Sequence, residues 1–152
     1  MKILALDCAT KTGFCVLSDG KMTRSGTKSF AKKKDDTNGV LFYKFRFWLE
    51  NFIIDERPDR IVCERTPPHM RSLAAIYIGM GLTSRVEEIA FASEIPCEFY
   101  SPTEIKKFAT GKGRADKEQM IEACSERLKF IPQDDNAADA AMLALMAYTK
   151  AP

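Results

Sequence analysis

The chain has 152 residues, the size of one domain, with 45% apolar and 29% charged residues, both ordinary for a globular protein. Its 23 Lys and Arg against 21 Asp and Glu leave a formal charge of +2, which excludes a histone-like or tail-type polycation. That total averages an uneven distribution: residues 21–34 carry Lys21, Arg24, Lys28, Lys32, Lys33 and Lys34 and no acid, residues 104–117 carry a net +3, and the remainder carries −7.

Residues 3–7 (ILALD) are a short apolar run ending in an acid, and residues 13–18 (GFCVLS) predict a second strand, with Lys11-Thr12-Gly13 read as the turn between them. Asp19-Gly20 is a two-residue hairpin signal leading into a more polar third strand at 22–28. A helix is predicted over 40–54, where Leu41, Phe45, Trp48 and Phe52 form one stripe. Its other face holds Phe42, Phe47, Leu49 and Ile53, so cover on more than one side is expected, and Pro58 is read as its stop. Residues 60–64 (RIVCE) predict a buried strand, again ending in an acid. A long helix over 72–93 follows, with Ser72 as its N-cap and small residues Ala75 and Gly79 one turn apart. After a strand at 96–100, Ser101-Pro102-Thr103-Glu104 has the form of a capping box opening a short helix. Two more helices are predicted over 115–128 and 135–149. The order implies an α/β fold: a mixed five-stranded sheet, three antiparallel strands then two parallel, with helices on both faces, all in one domain spanning 1–152.

No apolar run approaches the ~20 residues of a membrane span, and Asp7 interrupts the apolar stretch a secretory signal needs. The five cysteines are odd in number and form no C-x-x-C pair, which predicts reduced thiols in a cytoplasmic protein without zinc. With one histidine, His69, carboxylates are the better candidates for chemistry. A lone acid at a strand end is more often a loop cap, but Asp7 and Glu64 end two strands of one small sheet, and a buried unpaired carboxylate is costly. Asp134, Asp135 and Asn136 belong at a helix N-terminus on ordinary grounds. Asp139 does not, since it lies a turn further in, among alanines, on one face with Asp135. Four such carboxylates form a hard-cation site for Mg²⁺ or Mn²⁺, suited to in-line phosphoryl displacement with two ions about 3.5–4 Å apart.

The stretches ILALDCATKTGFCVL, IVCER, SPTEIKKFATGKGRADKEQM and DDNAADAAMLAL resemble, in order and separation, the RuvC group of Holliday-junction resolvases within the RNase H-like superfold. The most specific piece is IKKFATGKGRADKEQM followed by the A-D-A helix. The resemblance implies a homodimeric, Mg²⁺-dependent endonuclease making paired nicks in four-way junctions, forks and other branched DNA, with 5′-phosphate and 3′-hydroxyl products. By position it implies Asp7, Glu64 and Asp139 as metal-binding acids. The family's further acid, three residues before Asp139, is replaced by Asn136, which makes Asp135 the substitute fourth ligand. Lys117 is expected to stabilise developing phosphate charge and Lys106 to grip the backbone. Lys32, Lys33, Lys34, Arg65, His69, Arg71, Lys107, Lys112 and Arg114 are the expected DNA contacts. The family's aromatic wedge after the second acid is replaced by Thr66-Pro67-Pro68, and Cys8-Ala9 stand for the common Pro-Gly. These departures, with the short C-terminus, point to a phage or prophage type. The competing readings are an RNase H activity on RNA–DNA hybrids, a catalytically weak branched-DNA binder, and an actin-like phosphotransferase, for whose second lobe 152 residues leave no room.

Overall fold

The sheet order β3-β2-β1-β4-β5 places the two acid-ended strands side by side at its centre. These are β1 (Lys2–Asp7) and β4 (Arg60–Glu64); β2 (Lys11–Ser18) and β3 (Lys21–Ser29) extend the sheet on one side and β5 (Cys97–Tyr100) on the other. The computed structural model describes residues 1–67, 69 and 72–152. β1–β2 and β2–β3 pair antiparallel, β1–β4 and β4–β5 parallel, as the element order implied.

Central strands of such a sheet are buried on both faces, and β1 accordingly reads as an unbroken apolar run. Alternation sends Ile3 and Ala5 into one core with Cys15, Leu17 and Val62, and Leu4 and Leu6 into the other with Val16, Ile61 and Cys63. The first core is covered by α3 (Pro102–Thr110), α4 (Lys117–Leu128) and α5 (Asp135–Lys150), the second by α1 (Asn38–Glu56) and α2 (Leu73–Ala92). Because α5 meets the sheet with Ala137, Ala138, Ala140, Ala141, Ala144 and Ala147, all fully buried, its axis comes close to the strands. The closest approach is at Gly13, where an added Cβ would lie 2.0 Å from the Asn136 carbonyl oxygen.

Two boundaries differ from the sequence reading. Lys11-Thr12-Gly13 belong to β2 rather than to a turn, pairing with Ser29, Lys28 and Thr27; the turn lies at residues 8–10, where buried Thr12 donates its hydroxyl to the Ala9 carbonyl at 2.7 Å. Helix α1 ends at Glu56, before Pro58, because Arg57 takes a left-handed conformation (φ 48°) and donates its N–H to Ile53. The Asp19-Gly20 hairpin turn is found, with φ of 49° and 78°. So is the Ser101–Glu104 capping box; a second one, Asp116 with Gln119, opens α4 and was not read from the sequence. Phe42, Leu49 and Ile53 are buried as a second covered side of α1 requires, whereas Phe47 is 62% exposed.

Candidate active site

Parity and register together build this site. Asp7 continues the series Ile3, Ala5 and Glu64 follows Val62, so both acids project onto the α5 side of the sheet. The last β1–β4 pair is Leu6 with Cys63, and the next step along the register sets Asp7 beside Glu64. Asp139 comes down from α5 onto the same surface. Its Oδ1 is buried without a hydrogen-bond partner, one of three such side-chain atoms among the described residues. A solvent-free carboxylate oxygen with no donor is costly unless a cation occupies the space before it.

The electrostatics carry the same signature. Burial, then repulsion from Asp139, Asp135 and Asp134, pushes Asp7 up to about 8. Burial, then Asp7 and Asp139, pushes Glu64 up to about 9, and burial chiefly raises Asp139 to about 6. The ammonium of Lys106 opposes the rise at all three acids, so it lies within electrostatic reach of each. Lys106 is carried there by α3, whose N-terminus is held by Ser101 and Glu104 and whose neighbouring residue Ile105 is buried. The family resemblance expected Lys106, like Lys117, near the scissile phosphate, gripping the backbone; nothing in its local sequence marks it as a cation acting on all three acids.

The fourth predicted acid behaves differently. Asp135 pairs with Lys117 at 3.0 Å, and that hydrogen bond raises the Lys117 ammonium. Asp134 acts as the N-cap of α5: one oxygen accepts from Ala137 N–H at 3.0 Å and from the Thr27 hydroxyl at 2.6 Å. Among the described residues no three His, Cys, Asp or Glu side chains are drawn together as a ready-made metal cluster. Four carboxylates with their oxygens under mutual repulsion, one of them orphaned, are nonetheless a donor set that fits a hard divalent cation. The hydrogen bond with Cys8, then burial, moves Cys63, next to Glu64 in the chain, well above the usual thiol range; the two sulfurs sit 3.6 Å apart on the opposite side of the sheet.

Around the acids, Lys107, Lys112 and Arg114 are exposed on α3 and the loop to α4, and Arg65 and His69 are exposed after β4. Arg65 is fixed through its backbone N–H to the Tyr100 carbonyl at 2.8 Å. Lys33 and Lys34 are exposed, whereas Lys32 turns its ammonium to the Asp36 carbonyl at 2.7 Å. Arg71, Met70 and Pro68, and with Pro68 the stiff proline pair, lie outside the described residues. Missed by the sequence reading was Thr66, two residues past Glu64: its hydroxyl is buried and unpartnered, and its side chain fills the space a Cβ at Gly79 of α2 would need, 2.7 Å away.

The sequence model of the family described as crossover junction endodeoxyribonuclease RuvC matches residues 5–147. The crossover junction endodeoxyribonuclease RuvC of Halorhodospira halophila is 30% identical over 150 residues, covering 95% of this chain and 87% of the relative. That of Mycolicibacterium smegmatis is 34% identical over 108 residues, covering 68% of this chain and 56% of the relative. Among solved structures, Thermus thermophilus RuvC in complex with Holliday junction substrate superimposes with a TM-score of 0.82 at 19% identity, over 95% of this chain and 91% of that one. The yeast mitochondrial Holliday junction resolvase Ydc2 gives 0.67 at 15% identity, over 94% and 75%.

Proposed function

The chain belongs to the RuvC family of crossover junction endodeoxyribonucleases, and on that premise we propose that it cuts Holliday junctions and related branched DNA by divalent-metal-dependent phosphodiester hydrolysis at Asp7, Glu64, Asp135 and Asp139. The observation that carries the metal site is the buried, partnerless Oδ1 of Asp139 facing two strand-end acids. Mg²⁺ or Mn²⁺, as two ions, would supply a neutralised site for water attack and for the departing 3′-oxygen. The chain's own contribution is positional. Asp7 and Glu64 are held by paired β strands, and Asp139 by a helix locked against Gly13, so the backbones that carry the acids are fixed and only side chains would turn to a cation. Lys106 faces the acids and meets the non-bridging oxygens of the scissile phosphate. Lys117, released from Asp135 when that acid turns to a cation, offers a second ammonium. Lys32, Lys33, Lys34, Arg65, His69, Lys107, Lys112 and Arg114 are the proposed contacts to the duplex arms, with Arg71 carried over from the sequence alone, which makes binding steeply salt-dependent.

Paired nicks require two such sites, and α2 supplies a face for a homodimer. Leu73, Tyr77 and Met80 are 84, 60 and 57% exposed, and with Ser84, Glu87 and Phe91 they repeat at the 4,3 spacing of a helix–helix seam. Among the described residues no helix is long and apolar enough to cross a membrane.

One feature favours a second reading, a branched-DNA binder with weak catalysis: Asp135 is tied to Lys117 and the acids are not gathered at ligand spacing. A cleavage panel separates the two. Four-way junction, fork, duplex and RNA–DNA hybrid are each incubated with Mg²⁺, with Mn²⁺ and with chelator, alongside Asp7→Asn and Glu64→Gln. Metal-dependent nicking of the junction that both variants lose while still binding it supports the nuclease. Full activity in either variant refutes the assignment, binding without nicking in the parent favours the second reading, and hybrid cleavage above junction cleavage favours an RNase H activity.

A further inference from the structure

Beside the exposed edge of β3 lies a groove of about 550 Å³, walled on one side by β3 and on the other by α1. The helix wall is aromatic: Tyr43 and Phe47, one turn apart, are 71% and 62% exposed, and Trp48 lies behind them, supported by Phe14, Phe30 and Phe52. The strand wall is cationic. Arg24 and Lys28 share one face of β3, with Arg24 held over the Phe52 ring (4.6 Å) and against Glu56 (3.0 Å), and Lys44 adds a third cation from α1. Asp55 is the acid lining the groove. At its upper end β3 finishes at Ser29, and Phe30 N–H donates to the Thr10 carbonyl at 2.8 Å, in the loop that follows Asp7; the acids themselves project from the other, α5 side of the sheet.

We propose that this groove binds an unpaired DNA strand, seating bases on Tyr43 and Phe47 and phosphates along Arg24, Lys28 and Lys44, so that branched substrates with a single-stranded arm are preferred. The inference deepens the nuclease reading and rests on it for the substrate. Aromatic rings exposed on one wall with cations on the other is the arrangement single strands need, because every base has a π-face to stack whereas phosphates need only charge. Two large rings are left in water at consecutive turns of a helix whose opposite side is packed into the core. A duplex arm has no free base faces to offer them. A peptide adding to the β3 edge would use the strand's backbone and pockets for alternate side chains, but the cations Lys28 and Lys44, with Arg24 already paired to Glu56, against the single lining acid Asp55 favour a polyanion over all but a strongly acidic peptide.

Trp48 is the only tryptophan in the chain, so the groove reports on itself. Oligo(dT) of about fifteen nucleotides is titrated into the parent in chelator, with Trp48 emission and the anisotropy of a labelled oligonucleotide as readouts. Saturable quenching is expected, and Tyr43→Ala/Phe47→Ala should weaken binding roughly 10-fold or more. The same variant should lower the ratio of cleavage of a single-strand-armed fork to cleavage of an all-duplex four-way junction. A melting curve checks that the variant folds; should it not, Lys28→Glu/Lys44→Glu carries the test with the same expected losses. Unchanged Trp48 emission on binding, unchanged affinity in the folded variant, or displacement of oligo(dT) by an acidic aromatic peptide at lower concentration would each overturn the proposal. The titration involves no cleavage, so a protein that binds oligo(dT) in the groove but fails to nick junctions refutes the nuclease reading and leaves the groove standing.

Discussion

Gly13→Ala tests whether the active-site geometry depends on contact between β2 and the last helix. The added Cβ would meet the Asn136 carbonyl oxygen at 2.0 Å, its carbon at 2.4 Å and Ala137 N at 3.1 Å, whereas real Cβ atoms essentially never come within 3.0 Å of such neighbours. The first turn of α5 or the strand must therefore yield by about 1 Å, the difference between those two distances. β2 is paired on both edges, so the helix end moves, and Asp135 and Asp139 move with it. The opposing atoms are backbone and cannot rotate away, which places the stability cost at the upper end of overpacking, about 2–3 kcal/mol, or roughly 5–10 °C in Tm. Metal–oxygen bonds near 2.1 Å leave little slack, and a displacement of about 1 Å costs on the order of 100-fold in rate. The assay is the initial nicking rate of a four-way junction in Mg²⁺, with junction binding measured in chelator and Tm by thermal melting. Junction binding should persist. A variant that melts within about 2 °C of the parent and nicks within about threefold of it would refute the reasoning.

Three further expectations follow from the charges and faces described. In chelator, the folded state holds protons on Asp7 and Glu64 at pH values where the unfolded chain has lost them. Stability should therefore fall as pH rises from about 5 towards 9, by on the order of a few kcal/mol, and Mg²⁺ should flatten the slope; melts in chelator that stay level or rise over that range contradict it. Lys106→Ala should lower the nicking rate about 100-fold, because its ammonium offsets charge at all three acids, while Lys107→Ala, exposed on the same helix, should mainly weaken binding and reduce its salt dependence. Equal rate losses in single-turnover assays would show that Lys106 has no special place. Met80→Glu, at a 57% exposed position of α2, should leave Tm unchanged but shift sedimentation from dimer to monomer and uncouple the paired nicks; a dimer that survives the substitution places the interface elsewhere.

The sequence made the strand-end acids legible because a carboxylate directly after a doubly buried apolar run has few ordinary uses, and period-two alternation puts Asp7 and Glu64 on one face without any structure. Asp139 was legible for a related reason, as an acid among alanines that only close packing explains. Lys106 was not, since nothing in a lysine's local sequence tells which way its long stem reaches once α3 is docked. Lys11–Gly13 misled because a glycine after a polar pair has the chemistry of a turn, while its actual role, admitting the helix backbone, depends on a residue far along the chain. Phe47 misled in the opposite direction: an aromatic ring on an apolar helix reads as core, and only the strand beside it shows that the ring faces an open groove.

The packing of α5 also governs when the protein becomes active as it is made. Asp7 precedes Asp139 in translation, and Asp139 arrives only with the helix that covers Ile3, Ala5, Cys15, Leu17 and Val62. Until then that side of the sheet is bare and its acids face water with no helix opposite them. Contacts of such long sequence separation form late. The helix that brings the last of the proposed carboxylates is the same one that completes the core, so on that proposal the site is assembled only when the core closes.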